Sequence, residues 1–267
     1  FQINLMAKKN KSQSKSVVST ATTPSTTRPT KSTFPPNLLN DPKNCSANQK
    51  NDKISIKSSV ITLVPTAVFV AHNFLTQAEC NNWVKYAEEI GFEKLCSPQT
   101  REYAQRECGR ISKTDWEMAD KLYQRMQSMV EEIAKQVVVS SSDRTYAPIT
   151  CNGNLRLYKY EKQMSFGRHF DGSESISRYQ GGNTEITVLV YLTSCKGGAT
   201  RFYLPNSSKR GKKKAKSENS DGIAFEPEAG AILLHMHGDR CLEHEADPVL
   251  DGLKYVLRTD IVYAPAV

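Results

Sequence analysis

From Tyr146 onward the chain gives one strand signal after another, with no helical period between them. The runs are residues 154–160 (NLRLYKY), 185–193 (EITVLVYLT), 198–203, 230–236 (GAILLHM) and 254–263. β-Branched and aromatic residues in short runs suit a pleated, half-buried surface. Parallel neighbours would need crossover segments of a dozen or more residues, usually helical, between the strands. A helix-free succession therefore points to antiparallel sheets packed as a sandwich or jelly roll. Run 185–193 is the most hydrophobic and reads as a central strand.

Helices belong upstream. Residues 60–64 and 67–70 read as two short strands around Pro65. Thr76 and Glu79 then form a capping box, each side chain satisfying an orphan backbone N–H. Cys80, Trp83, Val84, Ala87 and Ile90 follow at helical spacing, and Gly91 can end the helix. Residues 93–113, with Arg101, Arg106 and Arg110, read as a polar loop. A second capping box, Thr114 with Glu117, opens a helix whose apolar stripe is Met118, Leu122, Met126, Met129 or Val130, Ile133 and Val137. The expected class is α+β, a jelly roll with flanking N-terminal helices in residues 58–267.

Residues 1–57 are rich in Ser, Thr, Lys, Asn and Pro and lack the periodicity that builds a core, so they read as a disordered basic tail. The absence of acids from Phe1 to Asn40 also fits a transit peptide, and an intracellular setting is favoured over a secreted one. A second basic stretch, Lys209 to Lys216, lies in a loop insert at 206–222. The formal charge of +8 resides mainly in these appendages, which weakens any inference of a nucleic-acid partner from charge. The loop still leaves a nucleic-acid contact or nuclear-import signal open. Seven scattered cysteines without a CxxC pattern argue against a zinc module or disulfide scaffold, with a Cys96–Cys108 bridge left open.

The chemistry starts at Phe166-Gly167-Arg168-His169-Phe170-Asp171-Gly172. His169 and Asp171 stand two apart, so extended backbone presents both to one side. An imidazole and a carboxylate at one point are two-thirds of a facial triad for non-haem Fe(II). The third ligand must come from elsewhere. His235 sits inside an apolar run and reads as a satisfied sandwich residue, His237 precedes a Gly-Asp turn, and His244 is best placed. Lys254, Arg258 and Asp260 share one face of the last strand. An inward cation would suit the far carboxylate of a dicarboxylate cosubstrate. Lys254 is preferred for that role over Arg258, which could instead pair with Asp260.

In order and spacing these residues resemble the prolyl 4-hydroxylase-like Fe(II)- and 2-oxoglutarate-dependent dioxygenases. The likeness runs from about Val68 to Tyr263. It rests on Asn73-Phe74-Leu75-Thr76-x-x-Glu79-Cys80, Tyr160 nine residues before His169, His169-x-Asp171, Gly197-Gly198-Ala199-Thr200-Arg201-Phe202, and His244 followed by Pro248-Val249 and Gly252-x-Lys254-Tyr255. The resemblance implies a double-stranded β-helix with His169, Asp171 and His244 on Fe(II). It implies Lys254 on the distal carboxylate of 2-oxoglutarate, with Tyr160 and Thr200 hydrogen-bonding that cosubstrate. O2 would be consumed, ascorbate would serve as reductant, and hydroxylation of an unactivated C–H would release succinate and CO2. A peptidyl-proline in a protein or peptide partner is the first expected substrate. A lysyl group, a small molecule or a nucleobase is the alternative, and a non-catalytic jelly-roll binding module is the rival of another class. One departure stands out. Asp260 occupies the place where collagen-type enzymes carry an aromatic residue, and the Arg258-Thr259-Asp260 ending is similar to a microbial and fungal branch. It leaves open a share for Arg258 in cosubstrate binding.

Overall fold

A computed structural model describes residues 33–39, 60–101, 103–137, 140–141, 144–205 and 222–266. A hairpin opens it, β1 (Ile61–Val64) and β2 (Val68–Ala71), followed by α1 (Gln77–Ile90). The capping box of α1 is present, with Thr76 and Glu79 bonded reciprocally and Gly91 at the C-cap. Next come β3 (Glu93–Ser97), β4 (Arg106–Thr114), α2 (Trp116–Gln136), β5 (Ser140–Ser141), β6 (Arg144–Cys151) and β7 (Asn154–Tyr160). The remainder is β8 (Phe166–His169), β9 (Asn183–Tyr191), β10 (Lys196–Gly197), β11 (Thr200–Tyr203), β12 (Ile223–Phe225), β13 (Ile232–Met236), β14 (Glu243–Ala246), β15 (Val249–Asp251) and β16 (Lys254–Pro265). The strand ladders are antiparallel, and the main sheet runs β1-β2-β13-β9-β16-β7-β4-β8-β14-β11-β12. This is the jelly roll expected, with two helices against one face. No helix among the described residues is long and apolar enough to cross a membrane.

Period-two alternation sorts the strands' side chains. Ile186, Val188 and Val190 of β9, Ile232, Leu234 and Met236 of β13, and Tyr255, Leu257 and Ile261 of β16 join the helices' apolar stripes in the main core. The α2 stripe is as expected: Met118, Leu122, Met126, Met129, Val130, Ile133 and Val137 are all buried. Each such side chain contributes about 1.5–3 kcal/mol by leaving water. The intervening residues, Thr187, His235, Lys254, Arg258 and Asp260 among them, belong to the other face.

Three readings need correction, and one question left open is decided. Residues 93–113 are a loop only in part, because β3 and β4 pair within them. Their charges misled because β3 lies at the margin of the sheet, largely exposed, while Cys108 and Ile111 of β4 point inward. Asp115, not Thr114, caps α2. Thr114 stays in the strand opposite Asn154, and Asp115 Oδ1 accepts from Met118 N at 2.9 Å. The second carboxylate oxygen accepts the amides of Thr33 and Phe34 at 2.5 and 2.9 Å. That contact corrects the tail boundary, since Phe34 and Leu38 are buried in the main core. Residues 1–32 and 40–59, and loop residues 206–221, lie outside the described residues. Finally, Cys96 and Cys108 are free thiols. The register sets Leu95 opposite Cys108, so neighbouring Cys96 points to the opposite face.

Candidate metal centre

β8 and β14 pair with His169 directly opposite His244, so sheet register alone brings the two imidazoles together. Their ring centroids are 4.2 Å apart. Asp171 lies just past the end of β8, its amide donating to Cys241 Sγ at 3.2 Å. His169 Nε2 is 3.7 Å from Asp171 Oδ1, and His244 Nε2 is 3.9 Å from Asp171 Oδ2. One donor atom from each of the three lies within 4.8 Å of the other two.

The imidazoles are oriented alike. His169 Nδ1 bonds Gly167 O at 2.8 Å, and His244 Nδ1 bonds Leu242 O at 2.9 Å. A carbonyl can only accept, so Nδ1 carries the proton and Nε2 keeps its lone pair for the shared point. Burial pushes the His169 pKa down to about 4, with His244 adding to the effect and Asp171 opposing it. Burial likewise lowers His244 against the pull of Asp171. Both rings are therefore neutral near pH 7. Burial by itself would raise the Asp171 carboxyl, but the Arg258 guanidinium outweighs it and holds the group well below the usual range. Arg258 Nη2 donates to Asp171 Oδ2 at 2.8 Å, and Thr187 Oγ1 donates to the same oxygen at 2.7 Å. Two neutral imidazoles and one fixed carboxylate fit a divalent first-row metal such as Fe(II).

The cavity beside this cluster holds about 450 Å³ of empty space, part of it open to solvent. Tyr160, Thr200, Arg106, Phe166 and Arg258 contribute to its walls. Arg258 is committed locally, to Asp171 and, at 3.5 Å, to Asp260. Lys254 differs. It is 2% exposed and forms no ion pair among the described residues. Its Nζ donates to Gly198 O at 2.6 Å and lies 5.3 Å from the Tyr160 ring centroid. Lys254 is not itself in the cavity wall; Tyr160 and Thr200 are. Burial depresses its pKa to about 8. A buried cation without a carboxylate is costly, and it fits an incoming anion.

Of the residues singled out from the sequence, His169, Asp171, His244, Tyr160, Thr200 and Arg258 line one cavity and Lys254 lies behind Tyr160; three more residues join them. Thr187 anchors Asp171. Arg106 lines the cavity between the rings of Tyr158 and Phe166, 4.6 and 4.4 Å from their centroids. It went unnoticed because its segment read as a loop; on β4 it shares a face with Cys108, two residues on. His235 is a correction, being far from satisfied. Both its ring nitrogens lack hydrogen-bond partners, and Nε2 is 3.5 Å from Asp171 Oδ2. His237, read as part of a turn, is the satisfied one: it is buried, with Thr187 Oγ1 at 2.8 Å and Thr184 O at 3.1 Å.

Residues 155–259 match the family model described as the 2OG-Fe(II) oxygenase superfamily. No curated protein matches the chain. Among solved structures, OsALKBH1 is similar with a TM-score of 0.50 at 11% identity, over 76% of this chain and 99% of that one. The 2OG complex of viral collagen prolyl hydroxylase vCPH from Paramecium Bursaria Chlorella virus-1 gives 0.48 at 16% identity, over 74% and 96%. A prolyl hydroxylase from Trichoplax adhaerens, in complex with a hypoxia inducible factor peptide fragment, gives 0.48 at 17% identity, over 75% and 85%. At 11% identity the likeness to OsALKBH1 concerns the fold alone.

Proposed function

We propose, from the match of residues 155–259 to the 2OG-Fe(II) oxygenase superfamily model, that this chain hydroxylates an unactivated C–H bond with Fe(II) held by His169, Asp171 and His244. The observation that carries the reading is the donor set itself: two Nε2 lone pairs, each fixed by an Nδ1–H bond to a carbonyl, facing one carboxylate. When bound, Fe(II) with 2-oxoglutarate and O2 supplies the oxidising power, and succinate and CO2 are released.

The chain's own residues do the rest. Thr187 and Arg258 hold Asp171 Oδ2, which fixes the carboxylate plane and leaves Oδ1 toward His169. Lys254, whose ammonium bonds Gly198 O, would hold the distal carboxylate of 2-oxoglutarate, an anion this buried cation lacks. Thr200, whose Oγ1 is 2.7 Å from Tyr191 Oη, and Tyr160 hydrogen-bond the same end. Phe166 and Val256 contribute apolar wall to the cavity beside the donor set.

For the substrate, a peptidyl-proline is the reading that the order of motifs supports. Two exposed aromatic rings flank β8: Phe170, 64% exposed, and Tyr103, 70% exposed, on the loop whose Gln105 O accepts from Gly167 N. Such a surface suits an extended peptide with apolar side chains.

The test is succinate formation from 2-oxoglutarate by purified protein with Fe(II), ascorbate and O2, beside His169→Ala and Lys254→Ala, followed by mass spectrometry of proline-containing peptide libraries. Turnover lost at least about 100-fold in both variants supports the assignment. Absence of turnover together with absence of iron-dependent 2-oxoglutarate binding in the wild type would favour a binding module. Oxygen gained by a nucleoside or small molecule, and by no peptide, would keep the chemistry and replace the substrate.

A further inference from the structure

Among the described residues, His235 is the histidine with neither ring nitrogen hydrogen-bonded. It is 1% exposed. On β13 it stands opposite Thr187 of β9 and Val68 of β2. Phe202 packs at 5.4 Å in an edge arrangement and His244 at 4.4 Å, centroid to centroid. Leaving a buried polar group unpaired costs about 1–3 kcal/mol, and native proteins tolerate this where an ion or ligand supplies the partner.

A second observation points the same way. His235, Cys241 and His244 form their own set of donors within 4.8 Å of one another, and this set shares His244 with His169 and Asp171. His235 Nε2 is also 3.5 Å from Asp171 Oδ2. The orphaned imidazole therefore adjoins two members of the candidate metal centre. A phenyl ring would fill the same place against Phe202 without the cost of unpaired nitrogens.

Building on the metal-centre reading above, we propose that His235 is a fourth protein ligand in the cosubstrate-free protein, displaced when 2-oxoglutarate chelates. The reason is a count of positions. An octahedral ion held by three protein groups keeps three sites, of which a bidentate cosubstrate takes two and O2 needs one. With a fourth protein group, chelation would leave no site for O2, so His235 yields its place. No bond order or oxidation state changes; one ligand is exchanged for another. Until the cosubstrate arrives, the extra imidazole keeps the ion less accessible to O2.

Co(II) is the probe. Metal-free wild type, His235→Phe and His235→Gln are titrated with Co(II) by calorimetry, and the visible ligand-field spectrum is recorded without and then with 2-oxoglutarate. The expected result is an affinity loss of at least about tenfold in both variants. A changed Co(II) spectrum is expected without 2-oxoglutarate, with wild-type and variant spectra converging once it is added. Metal-free His235→Phe should also melt above metal-free wild type. Should the Phe variant fail to fold, His235→Gln alone decides the spectral outcome. Equal affinity and equal spectra would overturn the proposal. So would a lower affinity with an unchanged spectrum, since that assigns His235 a hydrogen bond to Asp171 instead of a bond to the ion. If the wild type binds no Co(II), the metal-centre reading itself fails, a result distinct from either of these.

Discussion

The same three strands present two unlike surfaces. Toward the helices, β9, β13 and β16 show Ile186, Val188, Val190, Ile232, Leu234, Tyr255, Leu257 and Ile261, nearly all apolar and densely packed. One residue along in each case, on the opposite face, they show Thr187, His235, Lys254, Arg258 and Asp260, of which Thr187, His235 and Arg258 line the cavity. Both faces are buried, yet they are built on opposite terms. The helix-side face gains from every methylene removed from water. The cavity face carries an unpaired imidazole and an unpaired ammonium, each of which costs stability in the absence of a ligand. Stability and chemistry are thus separated by the pleat, at 180° on one backbone, instead of by distance along the chain.

This contrast can be broken from either side. The largest effect is expected on the helix side. Leu234→Ala, next to His235 and fully buried, should lower unfolding free energy by about 2–5 kcal/mol in urea titrations. The molecules that remain folded should keep their affinity for 2-oxoglutarate. A matching loss of affinity would show that the two faces are coupled.

On the cavity side the sign reverses. Lys254→Met removes a buried cation but leaves Gly198 O without its donor. Relief of roughly 3 kcal/mol, less about 1 kcal/mol for the orphaned carbonyl, should make the variant roughly 2 kcal/mol more stable at pH 7, with 2-oxoglutarate binding lost. The pH dependence follows from the depressed pKa. Between about 8, the folded value, and 10.5, the ordinary one, the unfolded chain binds the proton more readily than the native protein does. Wild-type stability should therefore rise across that window, by roughly 3 kcal/mol in the Lys254 contribution, and the variant's lead should vanish. Denaturant melts of both proteins at pH 7 and pH 10.5 check this. A lead that persists at the higher pH would mean that it does not come from a depressed Lys254 pKa.

The smallest effect sharpens the cosubstrate end. Gly198 has φ +71°, and a Cβ there would sit 3.2 Å from Lys254 Cδ and 3.1 Å from Val249 Cγ2. Gly198→Ala should cost about 1 kcal/mol in stability for the left-handed backbone alone. It should also weaken 2-oxoglutarate binding several-fold by pressing on the lysine stem, as calorimetry would read. A stability cost without an affinity change would place the cosubstrate away from Lys254.

Much of this was legible in the linear chain because it depends on local rules. The capping box at Thr76, the α2 stripe, the helix-free run of strands, His169 two before Asp171, and the inward phase of Lys254 with Arg258 all follow from periods of 3.6 and 2. What failed did so where a partner distant in sequence decides the outcome. Arg106 and its neighbours became a strand because β7 and β3 pair with them. Asp115 became the cap because its second oxygen gathers the amides of Thr33 and Phe34, about eighty residues upstream. Cys96 and Cys108 were kept apart by register.

The histidines mark the boundary most clearly. The sequence by itself determined that His169 and Asp171 would face one way and that a third ligand had to come from the C-terminal strands. It could not determine which of His235 and His237 would be satisfied, since both share the phase of β13. The tertiary structure decided that, giving His237 the hydroxyl of Thr187 and the carbonyl of Thr184, and leaving His235 against Asp171 with nothing on either nitrogen. The physical reason is that burial and phase are properties of a strand, whereas the satisfaction of a buried polar group depends on which atoms the other strands bring within 3 Å or so of it.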